Sequence, residues 1–142
     1  MSAVLLAYDS STKISDIVFS APTDASGNSI GLKQLQFTTT EEEAAVQGIR
    51  QRLLTWQGEW FLNTKVGIPY IQRILVKNPN SRIVESLFRA AILKVPEIQT
   101  VPLVTLEVNR ATRAATLTWT ATLASGKTIR SEDYESFVLG SF

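Results

Sequence analysis

The chain has 142 residues, with 14 basic and 13 acidic side chains, 44% hydrophobic residues, no cysteine and no histidine. That length suits one domain, and a mean hydropathy of +0.07 supplies a core and excludes a disordered chain. Lacking Cys, the chain has no disulfide framework and no thiolate; lacking His, it has no His-based catalytic triad and a structural zinc site is left without its usual ligands.

No apolar run approaches the ~20 residues of a membrane span. The start, Met1-Ser2-Ala3-Val4-Leu5-Leu6-Ala7-Tyr8-Asp9, has no basic region ahead of its short apolar part, so no signal peptide is expected. Charge is unevenly spread. Residues 1–43 carry two basic and six acidic side chains, residues 44–97 carry eight and three, and residues 98–142 carry four of each. The mildly basic middle lacks the dense Lys/Arg clustering of a nucleic-acid footprint and is read as solvated helix faces.

Residues 1–20 read as an arm entering the fold. Ser15, Ile17 and Phe19 alternate with Asp16, Val18 and Ser20, a weak strand signal. Ala21 to Ser29 is turn-rich, and Leu35-Gln36-Phe37-Thr38 is a second short strand. Thr40 with Glu43 three residues on is a capping box, and the three carboxylates from Glu41 suit the positive end of a helix dipole. The apolar stripe of that helix is Val46, Ile49, Leu53 and Trp56, and Gln57-Gly58 stops it.

Gly58 to Tyr70 is too apolar for an ordinary surface loop and too broken for a helix. Gly67 admits backbone conformations other residues avoid, and Pro69 removes a donor and pushes Ile68 toward extended geometry. It reads as a packed connector with aromatic anchors. It serves either as a core plug between two helices or as a docking element whose exposed part, with Glu59, Trp60, Phe61, Asn63 and Tyr70, meets another protein. Tyr70 to Val76 is a short helix or an extended apolar turn, broken by Lys77-Asn78-Pro79-Asn80. Asn80 or Ser81 then caps a second helix with Val84, Leu87, Ala91 and Val95 on one face, widened by Phe88 and Ile92. Glu85 and Arg89 are spaced to pair, and Pro96 ends the helix.

The final third is β. Val104, Leu106 and Val108 form one alternating run, and Ala115, Leu117, Trp119, Ala121 and Leu123 another. Asn109 to Arg113 turns between them. The apolar face packs on the helices, and Thr116, Thr118, Thr120 and Thr122 face water. Thr128-Ile129-Arg130 adds a third strand, and Asp133 to Leu139 extends it or leaves the body as an arm. The expected fold class is α+β: helices on one face of a small, mainly antiparallel sheet with a C-terminal β-hairpin. One domain spans 1–142, with an arm at 1–20, a helical part at 40–96 and a sheet at 98–139.

Ala45 to Leu54, followed by Gly58-Glu59-Trp60-Phe61-Leu62-Asn63-Thr64 and Val66-Gly67-Ile68-Pro69-Tyr70, resembles the small baseplate wedge protein of contractile phage tails. That family is also called the sheath initiator, or the lysozyme-like baseplate family, and is shared with contractile injection systems. The shared pattern is a helix with a Gln-x-Ile-x-x-x-Leu core, a Gly-Glu stretch with aromatics, and a Gly opening the next element. Phe88, Arg89, Ala91 and Ile92 look like its second helix.

The resemblance implies a structural virion component of the tail baseplate, assembled in the host cytoplasm in several copies around the tail axis. It implies no catalytic, metal or cofactor-binding residues, and neither nucleic acid nor membrane as partner. Its partners would be the tail sheath protein, other wedge proteins and the tail tube or hub. Its sheet would receive extended arms of the first sheath ring by β-strand addition. Many relatives carry Glu-Pro-Arg before the first long strand, a contact with wedge neighbours. Here Val95-Pro96-Glu97-Ile98 keeps the Pro without the flanking charges, so Pro96 and Glu97 carry that contact over only in position. An equivalent subunit of a phage-derived particle or secretion machine fits equally. A glycan-cleaving enzyme, suggested by the old lysozyme label, would need a second carboxyl beside Glu59, and none sits in a comparable apolar setting.

Overall fold

In the computed structural model, the described residues are 6–9, 14–17, 19–20, 24–26, 28, 34–74, 76, 79–109, 111–112, 114–134 and 137–139. Two short antiparallel ribbons come first. Strand β1 (Leu6–Asp9) pairs with β2 (Ile14–Ile17), and β3 (Phe19–Ser20) pairs with β4 (Gln34–Leu35). Val18, expected inside a strand, lies outside the described residues, as do most of the Ala21–Ser29 loop and the Lys77-Asn78 break. Within that loop Asp24 makes an Asx turn, its Oδ1 accepting from the Ser26 and Asn28 N–H groups at 2.9 Å each.

Helix α1 (Glu41–Leu54) starts where the capping box puts it. Thr40 Oγ1 accepts the Glu43 N–H at 3.2 Å. The return arm differs from the expected one: the Glu43 carboxylate reaches back to Thr39, accepting from its N–H and its hydroxyl. Those bonds hold the Glu43 carboxyl below the usual carboxylate range. The helix ends at Leu54 rather than at Gln57-Gly58, because Thr55 is already extended and its hydroxyl bonds the Gln51 carbonyl at 2.7 Å. The buried stripe is accordingly Ala45, Ile49 and Leu53, with Val46 only partly buried and Trp56 off the helix.

Asn80 caps α2 (Ser81–Ile92) through Oδ1, which accepts the Arg82 and Ile83 N–H groups. Val84, Phe88 and Ile92 are fully buried on it. The helix stops four residues before Pro96, and a tight turn closed by Ile98 N–H donating to the Val95 carbonyl at 3.0 Å leads into the sheet. Helix α1 approaches this turn so closely that a Cβ on Gly48 would stand 2.9 Å from Val95 Cγ1.

The main sheet is antiparallel and has four strands: β5 (Ile98–Asn109), β6 (Ala114–Leu123), β7 (Thr128–Arg130) and β8 (Phe137–Leu139). Strand β6 is its axis. β5 pairs along one side of it, while β7 and β8 pair with opposite ends of its other side. Of the segment from Asp133 to Leu139, Phe137 to Leu139 thus lie in the sheet instead of leaving the body. Between β7 and β8 no strand faces Trp119, and the Ser131 hydroxyl fills the gap, accepting the Trp119 N–H at 3.0 Å. Alternation along β6 is complete: Ala115, Leu117, Trp119, Ala121 and Leu123 are buried in the core that α1 closes over β6 and α2 over β5, with the threonines on the opposite face. The fold class is α+β, helices backing one face of an antiparallel sheet.

The connector is tied at both ends. Trp56 and Ile68 form a parallel bridge in which Gln57 N–H donates to the Ile68 carbonyl and Ile68 N–H to the Thr55 carbonyl, each at 2.9 Å. Gly67 makes this closure possible. It sits at φ +108°, and a Cβ there would lie 2.5 Å from the Trp56 carbonyl carbon. The chain then enters a π-helical turn, Tyr70–Ile74, with Tyr70 and Ile74 buried. The Tyr70 ring lies 5.2 Å from Trp56 and 6.1 Å from Phe88, and its hydroxyl donates to the Leu53 carbonyl, joining connector, α1 and α2.

Two outcomes test this packing. Ser131→Ala leaves the buried Trp119 N–H without an acceptor and should destabilise the fold by about 1–3 kcal/mol, read from urea denaturation. Burial pushes the Tyr70 phenol up from its ordinary value. The unfolded chain therefore releases that proton first, and stability should be intact below about pH 10 and fall as pH rises above it. A spectrophotometric alkaline titration should show Tyr70 ionising after Tyr134, and Tyr70→Phe should remove its share of the alkaline loss.

Candidate functional site

Two surfaces stand out once the core is accounted for. The first is the outer half of the connector. Turn hydrogen bonds hold it open: Glu59 N–H donates to the Trp56 carbonyl, Asn63 N–H to the Trp60 carbonyl and Val66 N–H to the Asn63 carbonyl, each at 3.1 Å. Asn63 Oδ1 also accepts the Lys65 N–H at 3.1 Å. With the backbone so fixed, Trp60, Phe61 and Leu62 project outward at 46%, 84% and 70% exposure. Three adjacent large apolar side chains held in water are costly to leave uncovered, which is the physical mark of a contact surface. Leu54 and Ile71, flanking the connector on either side in sequence, are also exposed.

The connector therefore divides between the two roles its sequence allows. Ile68, Tyr70 and Ile74 are the core plug, while Trp60, Phe61 and Leu62 are the outward part. Tyr70, expected on the partner-facing side, is only 2% exposed and belongs to the core, because its ring fills the space between Trp56 and Phe88. Glu59 is exposed, and its Oε2 accepts the Trp56 N–H at 3.0 Å, closing the turn. Pro96 is exposed and Glu97 half-buried in the α2–β5 turn, where the Glu97 carbonyl accepts the Ala124 N–H at 3.0 Å.

The second surface is the sheet. On the face away from the helices, Thr116, Thr118, Thr120 and Thr122 run down β6, half-buried, opposite Glu107, Thr105, Leu103 and Thr100 of β5. Leu103 and Val138 interrupt this polar face, each about half exposed. At its margin, no strand among the described residues pairs with the outer side of β5. The inner side of β5 is not regular throughout. Its register with β6 shifts between Ile98 and Thr100 and again between Thr100 and Leu103, and Pro102 has no N–H to offer. From Leu103 to Asn109 the pairing runs without interruption.

One contact on that margin was not legible in the sequence. Glu85 does not pair with Arg89. Its Oε1 accepts the Leu106 N–H at 3.3 Å, from a helix to a strand 21 positions away. Nothing local in the sequence signals such a contact; it follows from α2 lying along β5. Elsewhere Lys127 Nζ meets the Glu42 carboxylate, tying the β6–β7 turn to the start of α1, and this raises the lysine's pKa. Among the described residues no group of His, Cys, Asp and Glu is placed to hold a metal ion, and no helix is long and apolar enough to cross a membrane.

Comparison with known proteins places the chain in a family. A solved structure from Geobacter sulfurreducens, described as a candidate tail lysozyme, shares the fold at a TM-score of 0.60 over 74% of this chain and 95% of that one. Its 17% sequence identity carries the fold alone. No curated protein matches by sequence. The sequence model of the contractile injection system sheath initiator matches residues 17–126, which take in both helices, the connector and the β5–β6 hairpin. The chain belongs to the sheath initiator family of contractile injection systems.

Proposed function

We propose that this chain is the baseplate subunit on which a contractile sheath begins. The outer margin of β5 receives an extended arm of a sheath subunit as an added strand, and the helical side, with Trp60, Phe61 and Leu62, seats against neighbouring wedge proteins. Several copies around the tail axis would give the first sheath ring its template, and assembly would take place in the host cytoplasm before the particle leaves. The observation that carries the reading is the uninterrupted run from Leu103 to Asn109, paired on one side and free of strand partners on the other among the described residues. Unpaired backbone groups along a straight strand are a template for strand addition. The threonines of β6 keep their own row of that face uncharged, with Glu107 of β5 standing opposite Thr116.

The role is structural. Glu59 sits in an exposed turn with its carboxylate engaged by a backbone N–H, which supports a positioning part for it rather than acid–base work. Whether the particle is a phage tail or a related injection machine does not alter the physical role proposed.

Co-expression with the cognate sheath protein should yield rings or short stacks by electron microscopy. Phe61→Ser with Leu62→Ser should stay within about 0.5 kcal/mol of wild-type stability, since both side chains are mostly exposed. That double variant should still nucleate sheath and should lose co-purification with wedge neighbours. Two folded proteins that form no sheath-like assembly would contradict the reading.

A further inference from the structure

The flank of α2 beside the sheet margin indicates what kind of strand this edge accepts. The Leu106 N–H points away from β6 toward Glu85. Backbone direction alternates along an antiparallel strand, so Val104 and Val108 also turn their N–H and C=O groups outward. The usable edge therefore centres on Leu106. It ends near Leu103, where the register shifts and Pro102 lacks a donor. The Glu85 bond, at 3.3 Å, is at the long end for its kind and open to displacement by a backbone carbonyl.

Glu85 is not alone on that flank. With Arg82, Ser86, Arg89, Ala90 and Leu93 it lines an open groove along α2. Arg82 and Arg89 stand about one helical turn to either side of Glu85, and neither takes part in an ion pair among the described residues. Glu85, the nearest carboxylate, is turned to the strand instead. Small side chains at Ser86 and Ala90 keep the groove open between the two guanidiniums. Two cations against one anion leave the groove on the helix side positive, beside an edge that has no strand among the described residues; Glu107 of β5 is exposed on the opposite face of the sheet.

We infer that the strand added at β5 is acidic: its backbone takes the Leu106 N–H over from Glu85, and its own carboxylates pair with Arg82 and Arg89. This rests on the strand-addition reading above and names the chemistry of its partner. Glu85 is then a stopper, satisfying the central edge amide until an arm arrives and discouraging two copies of this chain from pairing edge to edge. Geometry sets the spacing. Seven helical residues separate the arginines by about 10.5 Å, close to the ~13 Å spanned by strand residues four apart on one face.

The full-length chain would be titrated with a fluorescein-labelled nine-residue peptide of alternating valine and threonine, with glutamates at its third and seventh positions. The same peptide with glutamines serves as reference, both read by anisotropy. The glutamate peptide should bind about three- to tenfold tighter at low salt. Arg82→Gln with Arg89→Gln should erase that difference, as should ~1 M salt. Glu85→Ala should strengthen binding of the glutamine peptide, whose side chains are uncharged, and should do so in ~1 M salt as well, where the label's charge is screened. Equal binding of the two peptides, or a preference that survives the arginine substitutions, would overturn the inference. The arginine double variant would also be carried through the sheath co-assembly. If it nucleates as readily as wild type, the acidic-strand inference fails while strand addition stands. If wild type itself nucleates nothing, the failure lies with the reading beneath it.

Discussion

Backbone amides and carbonyls in a sheet must find partners, and the distribution of those partners organises this molecule. Strand β6 is supplied on both sides: by β5 along one, and by β7, β8 and the Ser131 hydroxyl along the other. Strand β5 is supplied on one side by β6 and, at Leu106 on its other side, by a single carboxylate from α2. The sheet is thus closed on the β7–β8 side of β6, where the outward amide in the gap between the two strands is met by a serine, and among the described residues it has no strand on the outer side of β5.

The remainder of the chain holds this sheet rigid. Helix α1 packs on β6 and α2 lies along β5, and Ala45, Ile49, Leu53, Val84, Phe88 and Ile92 join one core with the inward residues Val104, Leu106, Leu117 and Trp119, so the strand that carries the open margin is backed by packed apolar side chains. The connector contributes from the other end. Tyr70 joins the C-terminus of α1 to Phe88 of α2, and Gly67 lets the chain close back on Trp56. Ordering this half of the connector also fixes the direction in which Trp60, Phe61 and Leu62 project. A loop whose backbone is already held by its own turns would lose little entropy if those side chains were covered.

Period-two alternation from Ala114 to Leu123 was legible in the sequence because every inward residue of β6 meets the helices, and the N-terminal caps of α1 and α2 were legible because Thr40 and Asn80 act through nearest neighbours. The end of α1 was misplaced for a physical reason: the Thr55 hydroxyl and the Trp56–Ile68 bridge compete with helix continuation, and the bridge is made by residues twelve positions apart. For the connector, composition could not divide Tyr70 from Phe61, since both are aromatic and only the fold decides which enters the core. Likewise the spacing of Glu85 and Arg89 allowed a pair on an isolated helix. A strand amide offered Glu85 a partner that cannot turn away, and the long-range contact replaced the local one. Caps and apolar spacing placed the connector and second helix, and the two surfaces followed only from exposure and strand order.

Amide hydrogen exchange along β5, with the chain alone and bound to its sheath protein, tests the account most directly. Free, the outward amides of Val104 and Val108 should exchange far faster than the inward amides of Thr105 and Glu107, with Leu106 between them; bound, all of them should slow together. Outward amides already protected in the free chain, or still unprotected in the assembled sheath, would contradict it.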